Sequence, residues 1–385
     1  MGGARLWVSI FGERFWPRAV RSAHRIPCLI LFAVLPAAAQ DLSELIRLAL
    51  DGNGSAQSSL GERYRLGLGI GVDIERAVRF YKLAAAQGRP EAQNALGEMY
   101  RFGETGAPDY QEAVRWYKLA AAQGLPEAEF ALGVMYDNGQ GVPQDYVEAV
   151  RWYRIPAENG MADAEYNLGL MYANAKGVAQ DYKEAARWYR RAAEHRNLPE
   201  AEYNLGVLYD EGRGVIRDNR EAAHWFSLAA NQGHDEAQFN LGSMYLEGLG
   251  VVQNDAEAAR WFRMASEQGQ SQAEYNLAVL LLEGRGGAQD SRQAVRWFRL
   301  AAEQGHPDAG FNLGVLYAYG RGVQRDLVQA ERWFIVAASR GDQDSAQAKE
   351  RFGRQMSLQD LQLAQGLAAQ WIPCKTKFEC DARIK

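Results

Sequence analysis

Residues 199–233 read PEAEYNLGVLYDEGRGVIRDNREAAHWFSLAANQG, and they hold one whole structural unit. Pro199 suits the first position of a helix, where its missing N–H is not needed. Ala201, Leu205, Leu208 and Tyr209 follow at i, i+4, i+7 and i+8 on one helical face. Tyr203 and Val207 fall on a neighbouring face, and a helix apolar on two sides is one clamped between neighbours. Gly212 and Gly214 mark a reversal of the chain. Asp218 caps a second helix, with Glu221 at its third position. Ala222, Trp225, Phe226, Ala229 and Ala230 form that helix's buried face, and Gly233 closes it as a left-handed cap.

The same unit returns along the chain. Trp116, Trp152, Trp188, Trp225, Trp261, Trp297 and Trp333 are 36 or 37 residues apart, a period that means stacked identical units. The capping pair recurs as Asp109/Glu112, Asp145/Glu148 and Asp181/Glu184, and a Leu-Gly pair recurs inside the first helix, as Leu205-Gly206 and Leu241-Gly242. A helical glycine costs about 1 kcal/mol against alanine, so its return at one site predicts a crossing with no room for a side chain. Eight units begin near Ser55, Pro90, Pro126, Met161, Pro199, Asp235, Ser271 and Pro307. Terminal caps are expected at both ends. Residues 41–51 read as a lone second helix. Residues 343–385 read as a cap helix begun by Ser357 and Asp360, then a polar tail from residue 372. Two faults lie one repeat apart: Pro156, which predicts a kinked last turn, and one inserted residue near Arg196 with no closing glycine.

Residues 1–39 stand outside the array. Five arginines, an apolar run from Cys28 to Leu35 and Ala37-Ala38-Ala39 have the order of a secretory signal peptide. The run is far shorter than the ~20 residues of a membrane span. Cleavage there removes five of the 43 basic and one of the 48 acidic residues, leaving 38 and 47 and a net charge of −9. That balance argues against nucleic acid and anionic membranes as partners. Cys374 and Cys380 remain; in an oxidising compartment they read as a disulfide. The other reading is two exposed thiols on a tail.

The unit A-E-Y-N-L-G-x-x-Y-x-x-G-x-G-V-x-x-D-x-x-E-A-x-x-W-[YF]-x-x-A-A-x-x-G resembles the Sel-one-like repeat, a branch of the tetratricopeptide-like superfamily, across roughly residues 41–342. Its period fits that branch better than the ~34 of ordinary tetratricopeptide repeats. The resemblance implies an all-α, right-handed superhelical solenoid of antiparallel helix pairs over residues 40–342, its first helices lining a concave face. Members of the family look like adaptors and scaffolds. Exported bacterial ones are similar to polysaccharide-export assembly factors, regulators of sensor kinases and host-interaction proteins. A cysteine-rich bacterial group is associated with penicillin binding and β-lactamase activity, but residues 41–342 contain no cysteine.

Enzyme signatures are absent from the sequence: no S-x-x-K, H-E-x-x-H, G-x-S-x-G or P-loop occurs. His195, His224, His234 and His306 fall in different units without metal-ligand spacing, so no metal or cofactor is expected. The constellation that stands out is a ladder. Asn167, Asn204, Asn240, Asn276 and Asn312 each precede the leucine of a first helix, beside Tyr166, Tyr203, Phe239, Tyr275 and Phe311. Amides can pair with the backbone of an extended peptide, and the rings add apolar area. The ladder faces a protein or peptide partner on one reading. On the other, each amide bonds a neighbouring repeat and each ring is inter-repeat core. The expected function is a non-catalytic interaction scaffold of the cell envelope, periplasmic or secreted, with no membrane segment after cleavage. The alternatives are a penicillin- or peptidoglycan-directed enzyme and a polysaccharide-binding module.

Overall fold

Every element of the chain is an α-helix among the described residues, which in this computed structural model are 42–374 and 376–384. The export signal read in residues 1–39 lies outside them. Consecutive helices pair as an A helix and a B helix, giving a solenoid of helix pairs. The chain divides into two compact units, Met1–Phe80 and Tyr81–Lys385.

The first unit holds α1 (Leu42–Leu50), α2 (Gly54–Leu66) and the start of α3 (Ile74–Ala86). The lone helix expected at residues 41–51 is α1. Gln57 Nε2 donates to the Ala49 carbonyl at 3.0 Å, and Tyr64 stacks on Phe80 at 5.9 Å. Phe80 thus takes the place that tryptophan holds in later repeats.

In the second unit the A helices are α4 (Pro90–Phe102), α6 (Pro126–Asn138), α8 (Ala162–Ala173), α10 (Pro199–Glu211), α12 (Asp235–Glu247), α14 (Ser271–Glu283) and α16 (Ala309–Tyr319). They alternate with B helices α5 (Tyr110–Ala121), α7 (Tyr146–Glu158), α9 (Tyr182–Arg196), α11 (Asn219–Asn231), α13 (Asp255–Glu267), α15 (Ser291–Glu303) and α17 (Leu327–Ala338). The B helices start on side-chain caps: Asp218 Oδ1 accepts from Arg220 N and Glu221 N at 2.8 and 3.3 Å. Of the A helices, α4, α6 and α10 open on a proline instead, and these three end on left-handed glycines such as Gly212 (φ 69°).

The tryptophan period follows from how the core is divided. One cluster joins Ala149, Val150 and Tyr153 of α7 to Leu168 and Met171 of α8, and Trp188 of the next B helix seals it. Trp225 and Trp261 seal the two clusters that follow. An indole buried this way removes 150–250 Å² from water, roughly 5 kcal/mol as an upper bound. No repeat completes its core alone.

The glycines explain how close the pairs come. A Cβ on Gly206 would lie 2.7 Å from the Phe226 ring, and on Gly133 2.5 Å from Tyr153. The repeated Leu-Gly is therefore where the A helix meets the aromatic of its own B helix. The loop glycines do more than reverse the chain. A Cβ on Gly214 would lie 2.2 Å from the Tyr182 carbonyl carbon, at the start of the preceding B helix, and Gly250 stands likewise 2.0 Å from the Asn219 oxygen. Gly141, Gly177, Gly286 and Gly322 rest on backbone in the same way.

At the two faults the structure repairs itself locally. α7 keeps the usual thirteen residues with Pro156 buried inside it. At the insertion, α9 lengthens to fifteen residues, and Asn197 (φ 48°) takes the left-handed place of the missing glycine. Ala175 (φ 56°) occupies the position equivalent to Gly212.

The C-terminal end differs from one cap helix with a polar tail. Three helices form: α18 (Gln343–Gly353), α19 (Leu358–Ala369) and α20 (Lys377–Ile384). Cys374 and Cys380 are joined in a disulfide, with their Cα atoms 5.6 Å apart. Both sulfurs are buried with Leu300, and the Cys374 N–H donates to the Glu303 carbonyl at 2.8 Å. The tail is thus pinned to α15. Its composition gave no hint, because its apolar contacts exist only once the six-residue separation is bridged.

Candidate partner-binding face

Each ladder aromatic sits half-buried on its A helix, tilted against the aromatic of its own B helix. Tyr166 meets Tyr189 at 5.9 Å, Tyr203 meets Phe226 at 5.8 Å, Phe239 meets Phe262 at 5.8 Å, and Phe311 meets Phe334 at 6.1 Å. Tyr275 packs edge-on to Phe298 at 5.6 Å. One side of each ring packs on that core aromatic; Tyr203 also stacks on His234 and Tyr275 on His306.

The amides behave less uniformly. Asn204 Nδ2 donates to the Tyr166 hydroxyl of the preceding repeat at 3.5 Å, and Asn312 Nδ2 to that of Tyr275 at 3.4 Å. Asn167 stands near the Tyr153 hydroxyl and partly offsets the rise that burial gives that phenol. Burial raises these phenols, Tyr275 to about 12, so each is a neutral acceptor. Asn276 follows Phe239, which offers no hydroxyl. Asn240 and Asn276 make no side-chain hydrogen bond among the described residues, and both are half-buried. Asn204 and Asn312 are thus tied to hydroxyls of the preceding repeat, and Asn240 and Asn276 between them are open.

Helix periodicity places these amides on one outward face. Glu200, Asn204, Val207 and Glu211 stand at i, i+4, i+7 and i+11 of α10; Glu236, Asn240, Ser243 and Glu247 match them on α12. A lane of amides and half-buried rings runs across the A helices, with carboxylates at both margins.

Another ladder escaped sequence reading. Glu165, Glu202, Gln238 and Glu274, at the fourth position of their A helices, are buried. Each meets a side chain thirty residues on. Gln232 Nε2 reaches Glu202 at 2.7 Å, Gln268 reaches Gln238 at 2.9 Å, and Gln304 reaches Glu274 at 2.8 Å. Burial lifts the Glu202 carboxyl, which Gln232 partly offsets. The signal was present: an A-E or A-Q pair in the first helix and Q-G at the end of the second. Thirty residues is not a helical spacing, so a reading helix by helix does not pair them.

Two other features resemble sites. His234, Asp235 and Glu236 bring one ligand atom each within 4.8 Å at the start of α12. His234 Nδ1 already accepts the Ala237 N–H as the helix cap, and its ring stacks on Tyr203 at 4.5 Å. That ring is a structural element, and no metal is assigned to it. A cavity of about 510 Å³ lies against the start of α17, where Arg332 pairs with Glu303 at 3.3 Å and Arg299 bonds the Tyr317 hydroxyl. It holds no nucleophile–base pair of the kind acyl transfer needs.

An array of helix pairs carrying one polar and aromatic rung per repeat defines a helical-repeat protein of the scaffold class. The chain belongs to the Sel1 repeat family, whose pattern matches residues 54–88, 90–125, 126–161, 162–197, 199–234, 235–270, 271–306 and 307–342. It is similar in structure to a Sel1 repeat protein from Oxalobacter formigenes, at 32% identity and TM-score 0.61, over 80% of this chain and 89% of that one. It is also similar to a protective antigen of uropathogenic Escherichia coli displaying an SLR fold, at 30% identity and TM-score 0.56, over 89% and 97% of the two chains. No curated protein matches the chain. Sel1 repeat proteins generally mediate protein–protein interaction and are generally non-catalytic. No helix among the described residues is long and apolar enough to cross a membrane.

Proposed function

We propose that the chain is an exported, non-catalytic scaffold of the cell envelope that holds a protein or peptide partner along the outward face of its A helices. The observation that carries this reading is the pair of open amides. Asn240 and Asn276 are half-buried beside Phe239 and Tyr275 and have no protein partner among the described residues. An amide so placed can donate to and accept from a backbone laid across it. Export rests on the basic, apolar and alanine order of residues 1–39 and on the paired Cys374 and Cys380. The likeness to a protective antigen supports it.

The test is a peptide array probed with protein lacking residues 1–39, followed by dissociation constants for the strongest binders. Asn240→Ala with Asn276→Ala should weaken binding about tenfold, at 0.5–1.5 kcal/mol per lost hydrogen bond, with an unchanged melting temperature. Unchanged affinity in a folded variant returns the face to solvent and the reading fails. For export, intact mass after envelope fractionation should give a chain beginning near Gln40; a full-length cytoplasmic chain counts against it.

A further inference from the structure

Charge is divided between the two kinds of helix. The five consecutive A helices α6, α8, α10, α12 and α14 carry fourteen Asp and Glu and no Lys or Arg. The intervening α7, α9, α11 and α13 carry cations on every helix, with Arg154, Arg190 and Arg263 among them. Some acids of the A helices are spoken for: Arg196 pairs with Asp163 at 2.9 Å, Arg213 with Glu211 at 3.0 Å and Arg285 with Glu283 at 3.6 Å. Glu200, Glu236 and Glu247 are exposed and make no ion pair among the described residues. They flank the open amide lane, Glu200 and Glu236 at the start of their helices and Glu247 at the end. Eleven residues of helix put about 16 Å between the two margins. Partial desolvation and the like charge of Asp210 one repeat earlier raise the Glu247 carboxyl.

Carboxylates in rows repel one another and hold a negative potential over the lane between them. A row on each side of an amide and aromatic lane matches an extended segment, whose side chains alternate left and right of its backbone. We infer that the partner segment is basic: an extended stretch rich in Lys or Arg that crosses α10, α12 and α14, its backbone on Asn240 and Asn276 and its cations on Glu200, Glu236 and Glu247. This rests on the binding face proposed above and adds the partner's chemistry. The same carboxylate rows select against acidic segments, which they repel.

The experiment uses fluorescence anisotropy with two labelled peptides, one alternating Lys with Ala and one alternating Glu with Ala. The Lys peptide should bind, more weakly as salt rises, and the Glu peptide should not. Glu200→Gln, Glu236→Gln and Glu247→Gln together should weaken the Lys peptide about tenfold, at 0.2–1 kcal/mol per exposed pair. Removing the same formal charge from B helices, by Glu148→Gln, Glu184→Gln and Glu257→Gln, should change it less than about twofold on the same scale. Equal weakening by both sets means diffuse attraction to a negative protein and overturns the inference. If array binders are neutral or acidic, and are lost with Asn240→Ala and Asn276→Ala but kept by the Gln set, the face stands and its basic partner falls. If neither set affects any binder, both fall.

Discussion

The Glu165 carboxylate lies fully buried and takes His195 Nδ1 at 3.0 Å, thirty residues away in the next helix of its repeat. Arg191 Nε reaches the same carboxylate at 2.8 Å. In the repeats of Gln93, Glu202, Gln238 and Glu274 the residue thirty positions on is a glutamine; here His195 takes that place and Arg191 adds a cation. This happens at the one-residue insertion, where α9 is longest.

Two substitutions should separate these versions of the ladder. Glu165→Gln strips the charge that Arg191 pairs with and His195 faces; because Arg191 is partly exposed, the loss should be about 2 kcal/mol, below the 3–5 of a fully buried pair. Glu202→Gln should be neutral or stabilising, because Glu202 is a desolvated carboxylate facing only the Gln232 amide, and Gln238 already fills the equivalent place. Urea midpoints of both variants decide it, and a larger loss at Glu202 would contradict the pairing described.

The glycines should rank in an order that chain reversal alone does not give. Gly214→Ala should cost about 3 kcal/mol, since its Cβ meets the Tyr182–Lys183 peptide bond and its φ is 69°. Gly206→Leu should cost at least as much, by driving a side chain into Phe226. Gly212→Ala should cost less, about 1–2 kcal/mol, for the left-handed backbone and an Arg217 Cβ at 3.0 Å, where Gly214 meets a peptide bond at 2.2 Å. Equal shifts at Gly212 and Gly214 would refute the junction.

Nature has placed the opposite substitution at Ala175, whose φ of 56° sits where other repeats use glycine. Ala175→Gly should therefore stabilise by about 0.5–1 kcal/mol, the relief of the left-handed alanine exceeding the entropy added to the unfolded chain. A lower thermal midpoint for the glycine variant speaks against that backbone.

Much of this was legible beforehand, and the reason is periodicity. Trp188 and Trp225 seal successive cores, so selection for packing writes the same residue every 36 or 37 positions. Asp218 caps locally, and local contacts leave local patterns. What stayed hidden depends on contacts between repeats: Glu202 with Gln232, Gly214 with Tyr182, and Cys374 with Glu303. The amides were visible as a ladder. That Asn204 is occupied by Tyr166 of the preceding repeat, whereas Asn240 makes no such bond although Tyr203 precedes it, is set by contacts between repeats that a one-unit reading does not compare.

The disulfide should matter at one end only. Cys374→Ala with Cys380→Ala opens a very short loop, so about 2 kcal/mol is lost, and only where the loop docks. Hydrogen exchange should rise in residues 372–384 while α4 to α13 keep their protection. Loss of protection throughout would mean the tail holds the whole array.

Stability should also depend on pH through His306. Its ring is buried against Tyr275 at 4.4 Å, Nδ1 accepts the Asp308 N–H at 3.3 Å, and Nε2 faces Gln272. That arrangement needs the neutral ring, and burial lowers its pKa from 6.5 to about 4. The unfolded chain therefore takes up a proton near pH 6.5 that the folded chain refuses until about pH 4. The stabilisation is complete above pH 6.5 and is lost as pH falls through that window, by up to about 3 kcal/mol. Glu331 acts in the opposite sense. Burial raises its carboxyl to about 7, so its contribution falls as pH rises from 4.5 to 7. The total slope mixes the two, and the informative quantity is the difference between the protein and His306→Gln. Denaturant midpoints at pH 7 and pH 4.5 should lie further apart in the protein than in the variant. An identical separation would show that the ring titrates alike in the folded and unfolded chains.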